Sequence, residues 1–213
     1  MHEHPTTSGN TPSTLLRQLR ALLPEHELSL AELFALLDDL AHHLRTACGI
    51  TGDILPTEII SSLPHFRIEN TDFPISGFSF WDDDAKEWVI RLNEDEAEPV
   101  RRFTLLHEFG HILWHGWEAK LFPGMEAPNM DRLSEFAADL FAGEALTPKH
   151  LMARAYSRGL HSPTALARRF EVSTNTVRWK LDQMNLPTPA RADIIDVQQS
   201  IRPRIAPLVE ITS

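Results

Sequence analysis

The sequence predicts an α+β fold. Helical periodicity before residue 50 and again after residue 98 flanks a middle section of short β-prone segments, and turn signals separate those segments. Pro, Thr, Ser, Gly and Asn without apolar periodicity predict a disordered tail at 1–13. A short amphipathic stretch, "TLLRQLRALL", comes next. In "SLAELFALLDDLAHHLRTACGI", Leu30, Leu33, Phe34, Leu37, Leu40, Ala41 and Leu44 recur at helical spacing. Ser29 and Glu32 form a capping-box pattern at its start, and Gly49 ends it. His42 and His43 read as surface or core-edge histidines of that helix.

The middle reads as a small antiparallel sheet built from "FRIE", "ISGFSF" and "EWVIRLN", with a hairpin between Phe78 and Leu92. The aspartates of "WDDD" lack the spacing and glycine of an EF-hand, so they read as a solvated turn. Pro99 then opens a helix through about His115. After a loop with Pro123, Gly124 and Pro128, Asp131 or Ser134 begins the next helix, and Pro148 another. "SPTALARRFEVSTNTVRWKLDQMNL" reads as two helices with a short break, resembling a helix-turn-helix. The organisation expected is a main unit at 14–155, a helical extension at 156–186 and a proline-rich tail at 187–213.

The chain has 213 residues, 42% hydrophobic, enough for one substantial core. A net charge of −10 argues against general nucleic-acid binding. Cys48 is the single cysteine and has no intrachain partner, which suits a reducing cytoplasm. The polar start has no basic-then-apolar leader pattern, and no run approaches the roughly 18 apolar residues of a membrane span. A cytoplasmic protein with no membrane contact is the expectation.

"LLHEFGHILWHG" carries H-E-x-x-H on the helix of Pro99–His115. Residues four apart share a helical face, so His107 and His111 point two imidazoles at one ion, and zinc takes such ligands. Glu108 is rotated about 100° around the helix, where it reaches a water at the ion without ligating. Leu105, Leu106, Phe109, Ile112, Leu113 and Trp114 leave little polar face, so the helix is buried and its polar groups need partners. Gly110 permits close approach by another backbone or a substrate.

A catalytic zinc takes three protein ligands and keeps one position open. In the equally apolar "SEFAADLFA", Glu135 is the candidate third ligand. Asp139, four residues on, is placed to accept an N–H from a ligand histidine.

"FTLLHEFGHILWH" followed by "EFAADLFAGEALTP" resembles the ImmA/IrrE-like family of zinc-dependent metallopeptidases over roughly Ile54–Pro148. The resemblance implies a zincin-like domain, zinc on His107, His111 and Glu135, and Glu108 as the catalytic glutamate. Family members often read "LLMP" where this chain has "EALTP", a difference in packing after the ligand helix. The resemblance also implies a protein substrate, a helix-turn-helix transcriptional repressor, and a role in stress response or mobile-element control. Manganese or iron also suits His/His/Glu. Tyr156, His115 and His150 are candidates for a second oxyanion donor, though each is also explained by ordinary packing or exposure. "EWVIRLN" is expected to offer an edge to an extended peptide.

Two other classes of function stay open at this point. One is a metal-stabilised, non-hydrolytic regulator or toxin-like protein that sequesters a repressor; the intact Glu108 argues against it, because binding alone does not need that residue. The other is a DNA-binding regulator. Between Met152 and Met184 stand six Arg or Lys (Arg154, Arg158, Arg168, Arg169, Arg178 and Lys180) against Glu171 and Asp182. One small module on an acidic chain makes few phosphate contacts, so packing or substrate docking is the preferred role for these helices.

Overall fold

A computed structural model describes residues 14–187; the tails expected at 1–13 and beyond Pro187 lie outside them. In chain order the elements are α1 (Leu15–Arg20), α2 (Leu30–Ala47), α3 (Glu58–Ser61), β1 (Phe66–Thr71), β2 (Gly77–Asp82), β3 (Glu87–Asn93), α4 (Glu98–Trp114), α5 (Glu118–Leu121), α6 (Asn129–Leu146), α7 (Lys149–Ser157), α8 (Pro163–Phe170) and α9 (Thr174–Gln183). The α+β class is as the residue pattern predicts.

Local signals act where expected. Ser29 and Glu32 form a reciprocal capping box on α2, with Glu32 accepting from Ser29 N at 2.8 Å. Asp82 closes the β2–β3 hairpin by accepting from the amides of Asp84 and Ala85, so the acidic turn caps itself. α6 starts at Asn129, earlier than either candidate, directly after Pro128.

The sheet differs from the expected antiparallel one. Its order is β1-β3-β2: β2 and β3 are antiparallel, but β1 and β3 are parallel, so the sheet is mixed. β3 is therefore central and offers no edge to a peptide; the free edges belong to β1 and β2. The cause is hydrophobic content. β3 is the most apolar strand, and between two neighbours Val89 and Ile90 become fully buried.

α4 packs on the sheet and on α6. Phe109 and Trp114 of α4 meet Phe141 of α6, with ring centroids 6.4 and 6.1 Å apart. Gly110 is needed at this seam: a Cβ there would stand 2.8 Å from the Trp114 ring and 3.3 Å from Phe141. The close approach is thus by aromatic side chains rather than by a backbone or substrate. Two arginines cap the ends of these helices. Arg20 donates to the carbonyls of Ile112 (2.7 Å) and Leu113 (3.1 Å), and Arg45 donates to that of Ala145 (3.0 Å).

The core runs without a break from α4 and α6 into α7, α8 and α9 through Ala155, Leu166, Phe170, Val177 and Leu181. Trp179 lies over Gly143, and buried Lys180 pairs with Glu144. Arg154 and Arg169 both pair with Asp53. Three of the six C-terminal cations are thus engaged within the protein.

Candidate metal centre

α4 and α6 bring His107, His111 and Glu135 together, with one donor atom of each lying within 4.8 Å of the others. The two Nε2 atoms are 3.1 Å apart. Glu135 sets Oε2 3.5 Å from His107 Nε2 and Oε1 3.4 Å from His111 Nε2. An ion about 2.0–2.1 Å from tetrahedrally placed donors requires those donors to be roughly 3.3–3.4 Å apart, so nitrogen, nitrogen and oxygen fit one divalent ion.

The outer nitrogens are engaged in ways that keep Nε2 facing inward. His107 Nδ1 lies 2.8 Å from Asp139 Oδ1, the partner expected from the E-x-x-x-D spacing. His111 Nδ1 lies 3.4 Å from Ser134 Oγ. Burial disfavours the imidazolium of His107, but Asp139 and Glu135, with Glu108 nearby, outweigh it and raise its pKa to about 9. Hydrogen bonds from His107 and His111 hold the Glu135 carboxyl well below the usual range, against a smaller opposing effect of burial. A cluster whose acid is ionised and whose base is charged is poised to exchange a proton for a cation.

Glu108 is buried at 8% exposure beside the cluster, and Ser79 Oγ of β2 donates to its Oε2 at 2.9 Å. Sequence reasoning missed Ser79 and Ser134. A signal for Ser79 exists: it is the small polar residue alternating with Phe78 and Phe80, on the opposite face of the strand from them.

The three candidate oxyanion donors fare differently. His115 follows α4 and packs on Trp88, ring centroids 5.2 Å apart, in a cavity that His111 also lines. Tyr156 donates its hydroxyl to Pro187 O at 2.7 Å, and its ring lies 4.3 Å from that of His161. His150 is exposed at the start of α7. Among the described residues, no hydrogen bond or ion pair joins Tyr156 or His150 to the cluster.

A buried H-E-x-x-H helix packed on a second helix that brings Glu135 to the two histidines is the arrangement a metallopeptidase centre requires. The family model for the IrrE N-terminal-like domain, peptidase family M78, matches residues 65–182, more than half of the chain, and the chain belongs to that family. The resemblance read from the paired motifs is borne out, and the match extends through the C-terminal helix pair. No curated protein matches the sequence. Among solved structures, a Mycobacterium tuberculosis transcriptional regulator is similar in fold, with a TM-score of 0.55 at 16% identity; the match covers 84% of this chain and 54% of that one. This chain therefore spans little more than half of that protein's length. No helix among the described residues is long and apolar enough to cross a membrane.

Proposed function

We propose that the protein is a zinc-dependent endopeptidase that cuts a regulatory protein, a DNA-binding repressor of the helix-turn-helix class. The observation that carries the reading is the joint placement of Glu108 and the donor cluster: a buried carboxylate that is not among the three donors stands beside them, oriented by a serine. His107, His111 and Glu135 would hold the ion, and Asp139 would fix the His107 ring. A zinc ion bound there supplies a Lewis acid that polarises a peptide carbonyl and acidifies water toward a pKa of about 7. Ser79 occupies Glu108 Oε2, which leaves Oε1 to take a proton from the attacking water and deliver it to the departing amine nitrogen. His115, beside the cluster, is the best placed of the three candidate oxyanion donors. The helices of 156–186 act in packing or in docking the substrate; engagement of Arg154, Arg169 and Lys180 within the fold favours this over DNA binding.

Glu108→Gln tests the reading. The variant keeps the shape of the side chain and all three donors, so metal and fold persist. Cleavage of the repressor partner should fall by at least about 10²–10⁴-fold while binding to it remains. Equal relief of repression by wild type and variant, with the repressor full length on a blot, defeats the enzymatic reading in favour of sequestration.

A further inference from the structure

Beside His111 lies a cavity of about 200 Å³. Ser79 and Trp81 of β2, Trp88 of β3 and His115 wall it, and Ile112 joins His111 on the α4 side. Trp81 and Trp88 are register partners across the hairpin, with rings edge to face and centroids 5.5 Å apart. Trp81 keeps 41% of its surface exposed, unusual for so large an apolar residue. Alternation along β2 puts Ser79 and Trp81 on one face, so the strand that holds Glu108 also walls the cavity.

Its size and chemistry select an occupant. Pockets that enclose a whole small ligand measure roughly 300–1,000 Å³; this one suits a single large side chain. Its lining includes no carboxylate, so a basic side chain entering it would lose water without gaining an anionic partner, and the only ionisable groups there are the imidazoles of His111 and His115. Indole faces and edges suit another aromatic ring or a bulky aliphatic group. His111 belongs to both the cavity and the donor cluster, so a chain whose carbonyl lies at the cluster brings a neighbouring side chain to the cavity mouth.

We infer that this cavity is a specificity subsite, which takes an aromatic or bulky aliphatic side chain of the substrate next to the bond that is cut. The inference rests on the metallopeptidase reading. Its test needs no turnover and no knowledge of the natural substrate. Zinc-reconstituted protein is titrated by calorimetry with two probes that differ only in side chain, N-acetylphenylalanine hydroxamate and N-acetylalanine hydroxamate. The hydroxamate reaches the metal in both, so their ratio reports the cavity. The phenylalanine probe should bind at least about 10-fold more tightly, the fold-change that burial of one ring carries. Trp81→Ala should reduce the ratio to about 2, and because Trp81 is exposed its loss leaves the core intact. Trp88→Leu is a second variant, altering the opposite wall. Equal affinities in zinc-loaded wild type overturn the inference alone, as does a preference that persists unchanged in both variants. Failure of zinc to bind at all overturns the metallopeptidase reading, and the inference with it.

Discussion

At His107 a proton and the proposed metal ion would compete for one nitrogen. In the metal-free protein its pKa of about 9 lies above the ordinary 6.5, so the folded state holds the proton more tightly than the unfolded chain does. That stabilisation is fully present below about pH 6.5 and is lost as the pH rises through about 9. Glu135 behaves oppositely: its depressed pKa contributes above the ordinary 4.5 and is lost as the pH falls through the lower folded-state value. Chelator-treated wild type should therefore lose thermal stability between pH 6.5 and 9 more steeply than His107→Gln, measured by melting in matched buffers; parallel curves would contradict the assignment. Asp139→Asn keeps the volume but weakens the acceptor at His107 Nδ1. Zinc affinity should drop roughly 10- to 100-fold without being abolished, as read by competition with a chromogenic chelator. These residues were legible in the sequence because helical spacing is a local rule: i to i+4 places His111 over His107, and Asp139 over Glu135. Ser79 was harder to read, because its partner lies 29 residues away and across an element boundary.

Among the elements, α6 joins the site to the rest of the fold. Its middle turns carry Glu135 and Asp139, and its last turns carry Gly143 and Glu144. Glu144 accepts from the Lys149 amide at 2.9 Å and pairs with Lys180, so one carboxylate ties α6 to the starts of α7 and to α9. Lys180 is 1% exposed; burial lowers its pKa, and Glu144 opposes that. Lys180→Met strands the carboxylate, and breaking a buried pair from one side costs about 3–5 kcal/mol. Denaturant midpoints should show that loss for Lys180→Met, with part of it recovered in the Lys180→Met/Glu144→Gln double variant; independent, additive losses would show that the pair is uncoupled. Helix existence was readable here because capping and periodicity are local. The order β1-β3-β2 was not, because parallel pairing of β1 with β3 is fixed by which strand must be buried on both sides, and that is decided only when α4 covers the sheet.

For the whole molecule, the proposed metal would join two helices, α4 and α6, that already pack on each other through their side chains. Phe109, Trp114 and Phe141 fill the α4–α6 seam, Arg20 and Arg45 cap the far ends, and one continuous core extends to Leu181. Small metal-dependent domains unfold when the ion is removed because they lack such a core; this chain does not share that weakness. Chelation should therefore leave far-UV circular dichroism unchanged. Bound metal still stabilises by mass action, because His107, His111 and Glu135 converge only in the folded state. At free zinc about 100 times Kd the gain is about 2.7 kcal/mol, and for a domain of this length roughly 2–4 °C per kcal/mol gives a rise of roughly 5–10 °C in Tm. The rise should vanish in His111→Ala and persist in Glu108→Gln, since Glu108 is not among the donors. Scanning calorimetry of the three proteins, with and without zinc, reads both outcomes. Loss of helical signal on chelation would show that the ion is part of the fold, and an equal rise in His111→Ala would place the metal elsewhere.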